Sequence, residues 1–348
     1  MDQNMPSPRS RKKLRIALTA AAAISLLTLA ALAWHLLFRP NVPARLQEEY
    51  VYLPTGSTLD AAARILKEGG FLLDERSFLM MSKRLEFKGR AGRFKISPGM
   101  SNFRLVRLLR SGEQSPVRVT LVNERLPEQV AAKVARALEL DSAALMSLFS
   151  DTLLLDSLGY KPQTLMSMFI PNTYELFWTT APRKFIERMA AEHDRFWKAD
   201  SRQAKADSLG FTREQVYTLA SIVERETNAN VEKPRIAGVY VNRIKTGMPL
   251  QADPTLVFAS RDWETRSLAQ YKDLDSPYNT YKYTGLPPGP ISMASIPSID
   301  AVLNREKHDY VFFCAAGDGS GLHNFAVTYE AHKQNVEIYK ANLKKRGL

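Results

Sequence analysis

The sequence predicts an α+β chain in three parts: a single N-terminal transmembrane helix, a small α+β module, and a mainly helical remainder with some strands. Three observations lead there. Residues 16–38 are 23 residues without Asp, Glu, Lys or Arg, directly behind a basic cluster. Between residues 50 and 122, strand-like runs alternate with helical runs of about ten residues. Beyond residue 122, apolar spacing close to the helical repeat dominates.

The first part is the most sharply defined. Arg9, Arg11, Lys12, Lys13 and Arg15 precede the uncharged run. A helix of that length crosses a hydrocarbon core of about 30 Å. A cleaved signal has an apolar core of about 7–15 residues and a small-x-small site. This run is longer and leads into Trp34-His35-Leu36-Leu37-Phe38. An uncleaved anchor over residues 14–38 is expected, with residues 1–13 cytoplasmic by the positive-inside rule and the rest exported. Residues 39–49, with Pro40 and Pro43, read as a stiff linker.

Residues 50–115 read as the small module. Tyr50-Val51-Tyr52-Leu53 is strand-like, and Ser57 or Thr58 caps a helix through about residue 68, stopped by Gly69-Gly70. A second helix fits residues 74–84, a returning strand 92–96, and a third helix 102–110. Residues 117–122 alternate like a strand. In the final part, residues 116–348, helical spacing covers 128–138, 142–149 and 182–199. The polar stretch 198–208 is expected as a linking loop. Residues 228–298 are expected to be loop-rich with short helices, 310–315 a buried strand, and 329–345 a closing helix.

Composition narrows the chemistry. With 48 basic and 36 acidic residues the chain carries +12. The first 38 residues hold five of the bases and one acid, so an exported body keeps +8. Export argues against nucleic acid as a partner. The single Cys314 excludes Cys-rich metal sites, and the five histidines show no close metal-binding spacing. No metal or cofactor is expected, which leaves carboxylates as the place to look.

Thr212-x-x-Gln215 has capping-box spacing and opens a helix through Thr227. At 100° per residue, Glu226 lands at about 280°, between Leu219 at about 300° and Ile222 at about 240°. Glu224 lands at about 80°, at the edge of the apolar stripe. A carboxylate on a buried helix face is costly unless paired, neutral or in a cleft, and burial raises its pKa. That suits a general acid; the plain alternative is a solvated or ion-paired side chain.

Downstream, Gln251 could reach a sugar hydroxyl, while Asp253 before Pro254 equally suits a helix cap. Ser276-Pro-Tyr278-Asn279-Thr-Tyr281 is polar and aromatic, fitting a carbohydrate cleft or an ordinary surface loop. Gly317–Gly321 reads as a hairpin turn, with His323 beyond it facing a cleft.

Several of these stretches together resemble the MltG (YceG-like) endolytic murein transglycosylases. The runs are Ala220-Ser-Ile-Val-Glu-Arg-Glu-Thr227, Val241-Asn-Arg-Ile-x-x-Gly-Met-x-Leu-Gln-Ala-Asp-Pro-Thr255, Tyr278-Asn-Thr-Tyr281, Thr284-Gly-Leu-Pro-Pro-Gly-Pro-Ile291 and His323-Asn-Phe325, in the family's order. Phe169-Ile-Pro-Asn-Thr-Tyr174 is similar to a further segment, with Asn172 where the family has Asp.

The resemblance implies an inner-membrane anchor, a LysM-like module, and a lytic-transglycosylase (lysozyme-like) catalytic domain. The implied reaction cleaves the β-1,4 bond between N-acetylmuramic acid and N-acetylglucosamine in nascent peptidoglycan, leaving 1,6-anhydro ends. It makes Glu226 the catalytic acid, with Glu224, Gln251, Asp253, Tyr278, Asn279, Tyr281 and His323 as substrate-binding candidates. Peptidoglycan synthases (penicillin-binding proteins) are the implied partners. Two other readings stay open: a hydrolytic muramidase using Asp253 as second carboxylate, and a non-catalytic cell-wall scaffold.

Overall fold

The computed structural model describes residues 8–264 and 267–347. The first seven residues of the expected tail lie outside it, as does the side chain of His35. The fold is mixed α+β, mainly helical with a few short strands. It divides into two compact units, residues 1–117 with 177–179, and residues 118–176 with 180–348.

The first unit opens with α1 (Pro8–Phe38). Over the described residues alone, no helix is long and apolar enough to cross a membrane. Beyond Arg15 the exposed side chains of α1 are nevertheless mostly apolar, among them Ile24, Leu26, Leu27 and Trp34. Strand β1 (Tyr50–Leu53), helices α2 (Leu59–Glu68) and α3 (Glu75–Arg84), and strand β2 (Gly92–Lys95) follow. The two strands pair antiparallel, Val51 opposite Phe94. Thr58 and Asp74 cap α2 and α3 through their side chains, satisfying otherwise unpaired amides. Helix α4 (Asn102–Ser111) completes this unit's core of Leu53, Leu66, Phe78, Phe94 and Leu105.

In the second unit β3 (Val117–Leu121) pairs with β4 (Asn172–Leu176). Between them lie α5 (Pro127–Ala137), α6 (Ser142–Phe149) and α7 (Thr152–Ser157). Then come α8 (Pro182–Lys198) and α9 (Arg202–Leu209). The expected loop over 198–208 is thus largely helical. Arg202 is buried, bonded to both Asp300 oxygens at 2.8 and 3.1 Å, and stacked on Phe196. A distant partner, not local pattern, folds this polar segment.

The central element is α10 (Arg213–Glu226), whose residues Val216 to Val223 are all buried. It packs against α9, α11 (Lys233–Lys245), α12 (Asp253–Ser260) and α13 (Ile296–Leu303). The 13-residue α11 corrects the reading of 228–298 as loop with short helices. Ile236, Ala237, Val239, Tyr240 and Val241 are buried in succession, so α11 lacks the one-sided stripe that betrays a helix. Helix α13 was likewise absent from the sequence reading. Strands β5 (Phe312–Ala315) and β6 (His323–Ala326) form the expected hairpin, and α14 (Tyr329–Lys345) closes the chain. However, β5 is only half-buried: it belongs to a two-stranded ribbon, not an enclosed sheet.

The proline-rich segment before Ile291 is fastened to α10. Ser221 Oγ accepts the Ile291 amide at 3.0 Å, and Tyr217 accepts that of Ala294 at 3.2 Å. Gly289 is required there, because a Cβ would collide with the Gln163 carbonyl.

Candidate active site

Glu226 is the last residue of α10; Thr227 is already extended. One Oε accepts the Tyr240 hydroxyl at 2.6 Å. Tyr240 is buried in the middle of α11, so the helix pair itself fixes this contact. Burial pushes the Glu226 carboxyl up to about 7; the Tyr240 bond lowers it, nearby Asp253 raises it and Arg243 lowers it. Such a group is half protonated near neutrality and can both give and receive a proton. Arg243 does not neutralise it directly: its guanidinium donates to the carbonyls of Val311 at 2.7 Å and Leu250 at 2.6 Å.

Glu226 stands on the wall of two pockets. One, of about 260 Å³, also takes in Asp253, Phe258, Trp263, Arg125 and Arg225. The other, of about 700 Å³, includes Thr227, His323 and the turn Gly317–Gly321. The acid therefore sits along an open groove with aromatic and polar walls, a setting suited to a chain of sugars.

Glu224, two residues earlier, has a different environment. Its Oε2 accepts from Lys233 Nζ at 3.1 Å and from the hydroxyls of Ser295 and Ser298, each at 2.5 Å. Burial opposes ionisation here, but these donors win and hold the carboxyl below its usual range. It lines neither pocket that contains Glu226. Its visible work is to tie α10 to the starts of α11 and α13.

The remaining candidates separate in the same way. Asp253 lines the smaller pocket and accepts the Tyr281 hydroxyl at 2.5 Å. It is the first residue of α12, not its cap; Ala252 occupies that position without a side-chain bond. Gln251 is exposed and held in a left-handed conformation, φ 49°, with its amide donating to Thr280. Tyr278 packs on Phe258, ring centres 4.7 Å apart. Asn279 is buried, donating to the carbonyls of Lys272 and Leu274 and accepting from the amides of Tyr281 and Lys282. It shapes the loop from within. His323 lines the larger pocket, with Nδ1 2.9 Å from Glu232, which also accepts its amide.

Sequence reasoning missed Tyr240, Glu232, Arg125, Arg225 and Trp263. Tyr240 lies in an apolar run where nothing marks it as polar chemistry. Arg125 and Trp263 are 138 positions apart in the chain and meet only in the fold, with the guanidinium 4.7 Å from the ring centre. Among the described residues, no group of three or more His, Cys, Asp or Glu is placed to hold a metal ion.

A protein of Bacillus subtilis (strain 168) named endolytic murein transglycosylase is 29% identical over 306 residues, 83% of this chain and 84% of that protein. One of the same name from Streptococcus pneumoniae serotype 2 is 28% identical over 322 residues. That match covers 82% of this chain and 57% of the pneumococcal protein, so the chain spans just over half of its length. A crystal structure of a yceG-like protein from Listeria monocytogenes aligns with TM-score 0.55 at 26% identity, covering 82% of this chain and 97% of that one. The YceG-like family matches residues 51–338, most of the chain, and the protein belongs to that family.

Proposed function

We propose that the protein is a lytic transglycosylase that cuts inside peptidoglycan glycan strands, with Glu226 as its acid and base. The observation that carries this reading is a carboxyl with a pKa near 7 on the wall of an open groove, held by the Tyr240 hydroxyl. The protonated carboxyl gives its proton to the glycosidic oxygen as the bond to C1 breaks. The carboxylate so formed takes the proton from the C6 hydroxyl of the same muramoyl sugar as that oxygen bonds to C1. No water is consumed, and Glu226 ends protonated for the next cycle.

In this reading Asp253 and Tyr281, bonded to one another, position the sugar beside Glu226, and His323 and Gln251 serve further along the groove. Tyr278 and Asn279 support that wall, and Glu224 aligns the helix end. The anchor is α1: it offers 23 uncharged residues, apolar exposed side chains, and Thr19 and Thr28 hydroxyls bonded to their own helix's carbonyls. The module over 50–115, with its strand–helix–helix–strand order from Tyr50 to Lys95, is then LysM-like and lies outside the cytoplasm. Peptidoglycan synthases are its natural neighbours, to be sought by co-purification.

The test is mass spectrometry of products released from peptidoglycan by the purified chain. Anhydro ends, one water lighter than hydrolytic ends, are expected from wild type and absent with Glu226→Gln. Hydrated ends alone would transfer the reaction to the hydrolytic route with Asp253. No cleavage by wild type would favour a scaffold.

A further inference from the structure

Beside the smaller Glu226 pocket lies a third, of about 620 Å³, lined by Arg125, Lys133, Arg136, Arg225 and Trp263, with Glu124. Arg125, Arg225 and Trp263 belong to both, so the two cavities are continuous.

The charges are unequal. Four cations face one carboxylate, and Glu124 is already committed: Lys133 Nζ sits directly on it, and it accepts the Val122 and Asn123 amides at 2.9 and 3.2 Å. Among the described residues, Arg125, Arg136 and Arg225 have no carboxylate within ion-pairing distance. Arg225 is fixed by bonds from Nε to Ser292 at 3.1 Å and from Nη2 to the Asn123 carbonyl at 3.2 Å. Arg125 is fixed over the Trp263 ring. Burial and then the neighbouring Arg125 push the Arg225 guanidinium down, against a smaller opposing pull from Glu224. Two immobilised guanidinium forks at one cavity mouth match the geometry of a carboxylate.

The glycan backbone is neutral and gives such a groove nothing to bind. The anion of the substrate is the peptide stem, which hangs from the muramoyl sugar whose bond is cut. An enzyme acting within strands meets a stem at every muramoyl residue, and a lipid diphosphate only at a strand's end. We propose that the groove of Arg125, Arg225, Arg136 and Lys133 binds a carboxylate of the peptide stem on the sugar being cleaved. This assignment rests on the lytic transglycosylase reading.

The experiment compares kcat/KM of the full chain in detergent on two substrates, uncrosslinked strands with their stems and the same strands stripped by an amidase. Wild type is expected to prefer stem-bearing strands by about tenfold or more, the scale of a charge-assisted contact. Arg136→Gln, an exposed change, and Arg125→Lys, which keeps charge but loses the fork, should each shrink that ratio, mostly through KM. A wild-type ratio near one, or a ratio untouched by both variants, overturns the groove assignment while leaving the enzyme reading intact. Inhibition by inorganic diphosphate with no dependence on stems would hand the groove to a phosphate and likewise overturn it. Absence of cleavage on either substrate overturns both.

Discussion

Two carboxylates two residues apart on one helix meet opposite fates here. Glu224 is surrounded by donors: one ammonium and two hydroxyls. Glu226 has a single phenol, the field of Asp253, and an arginine already occupied with carbonyls. Burial disfavours the charge on both. Only at Glu224 do the partners outweigh it, so one carboxyl titrates below its usual range and the other near 7. A difference of 200° around a helix decides which acid braces the fold and which remains free for chemistry.

The largest expected consequence concerns Glu226. Glu226→Gln keeps the shape and removes the proton, so glycan release should fall by about 10³-fold or more. The folded state should not suffer. Below pH 4.5, its ordinary value, Glu226 is protonated in both folded and unfolded chains. As pH rises from about 4.5 to about 7 the folded chain loses stability, because it holds a proton that the unfolded chain has released. Thermal melts should show Glu226→Gln gaining on wild type as pH rises from about 4.5 to 7. A variant that retains wild-type activity, or melts far below wild type at pH 8, would break the contrast.

Glu224→Gln should do the reverse, acting on stability first. It leaves Lys233, whose side chain is 5% exposed, without its counter-charge. Breaking a buried pair costs about 3–5 kcal/mol; with Glu224 itself 26% exposed, a loss of about 2–3 kcal/mol is expected. Its pKa is lowered, so the ionised form stabilises the fold above pH 4.5, and that contribution disappears as pH falls through the folded value. Denaturant melts at a series of pH values below 7 measure both effects: the gap between wild type and variant should narrow as pH falls below 4.5.

Asn279→Ala should have a smaller effect, about 2 kcal/mol, since it unpairs backbone groups around one loop. It should also raise KM, because Tyr281 and thereby Asp253 depend on that loop. Lost stability with an unchanged KM would detach the loop from the groove.

How far the sequence revealed this arrangement follows from the range of the forces involved. Glu226 was legible because α10 has a capping box and a regular apolar stripe, so its azimuth could be computed. Helix α2 was legible for a similar reason, with its cap at Thr58; α4 was legible from its apolar spacing. Helix α11 was not, because burial on all sides erases periodicity, and with it went Tyr240. Helix α9 was hidden because its anchor, Asp300, lies 98 residues away. Asn279 shows the limit of a motif: its place in the Tyr-Asn-Thr-Tyr run marks a groove wall, but only the bonds show that its amide faces inward.

The finest test of the contrast removes the one donor that Glu226 has. In Tyr240→Phe the ring still fills the core, and only the hydroxyl is lost. That hydroxyl favours the ionised carboxyl, so its removal should move the Glu226 pKa further up, by about one unit. Wild-type kcat/KM should fall tenfold per unit above about pH 7, as the protonated acid disappears. In the variant that alkaline limb should begin about one unit higher. Activity at pH 8 should therefore suffer less than at pH 6, although the helper is gone. A limb that stays in place would mean that the loss at high pH follows another group. A limb that moves down would mean that loss of the hydroxyl lets water reach the carboxyl, so that relief of burial outweighs the lost Tyr240 bond.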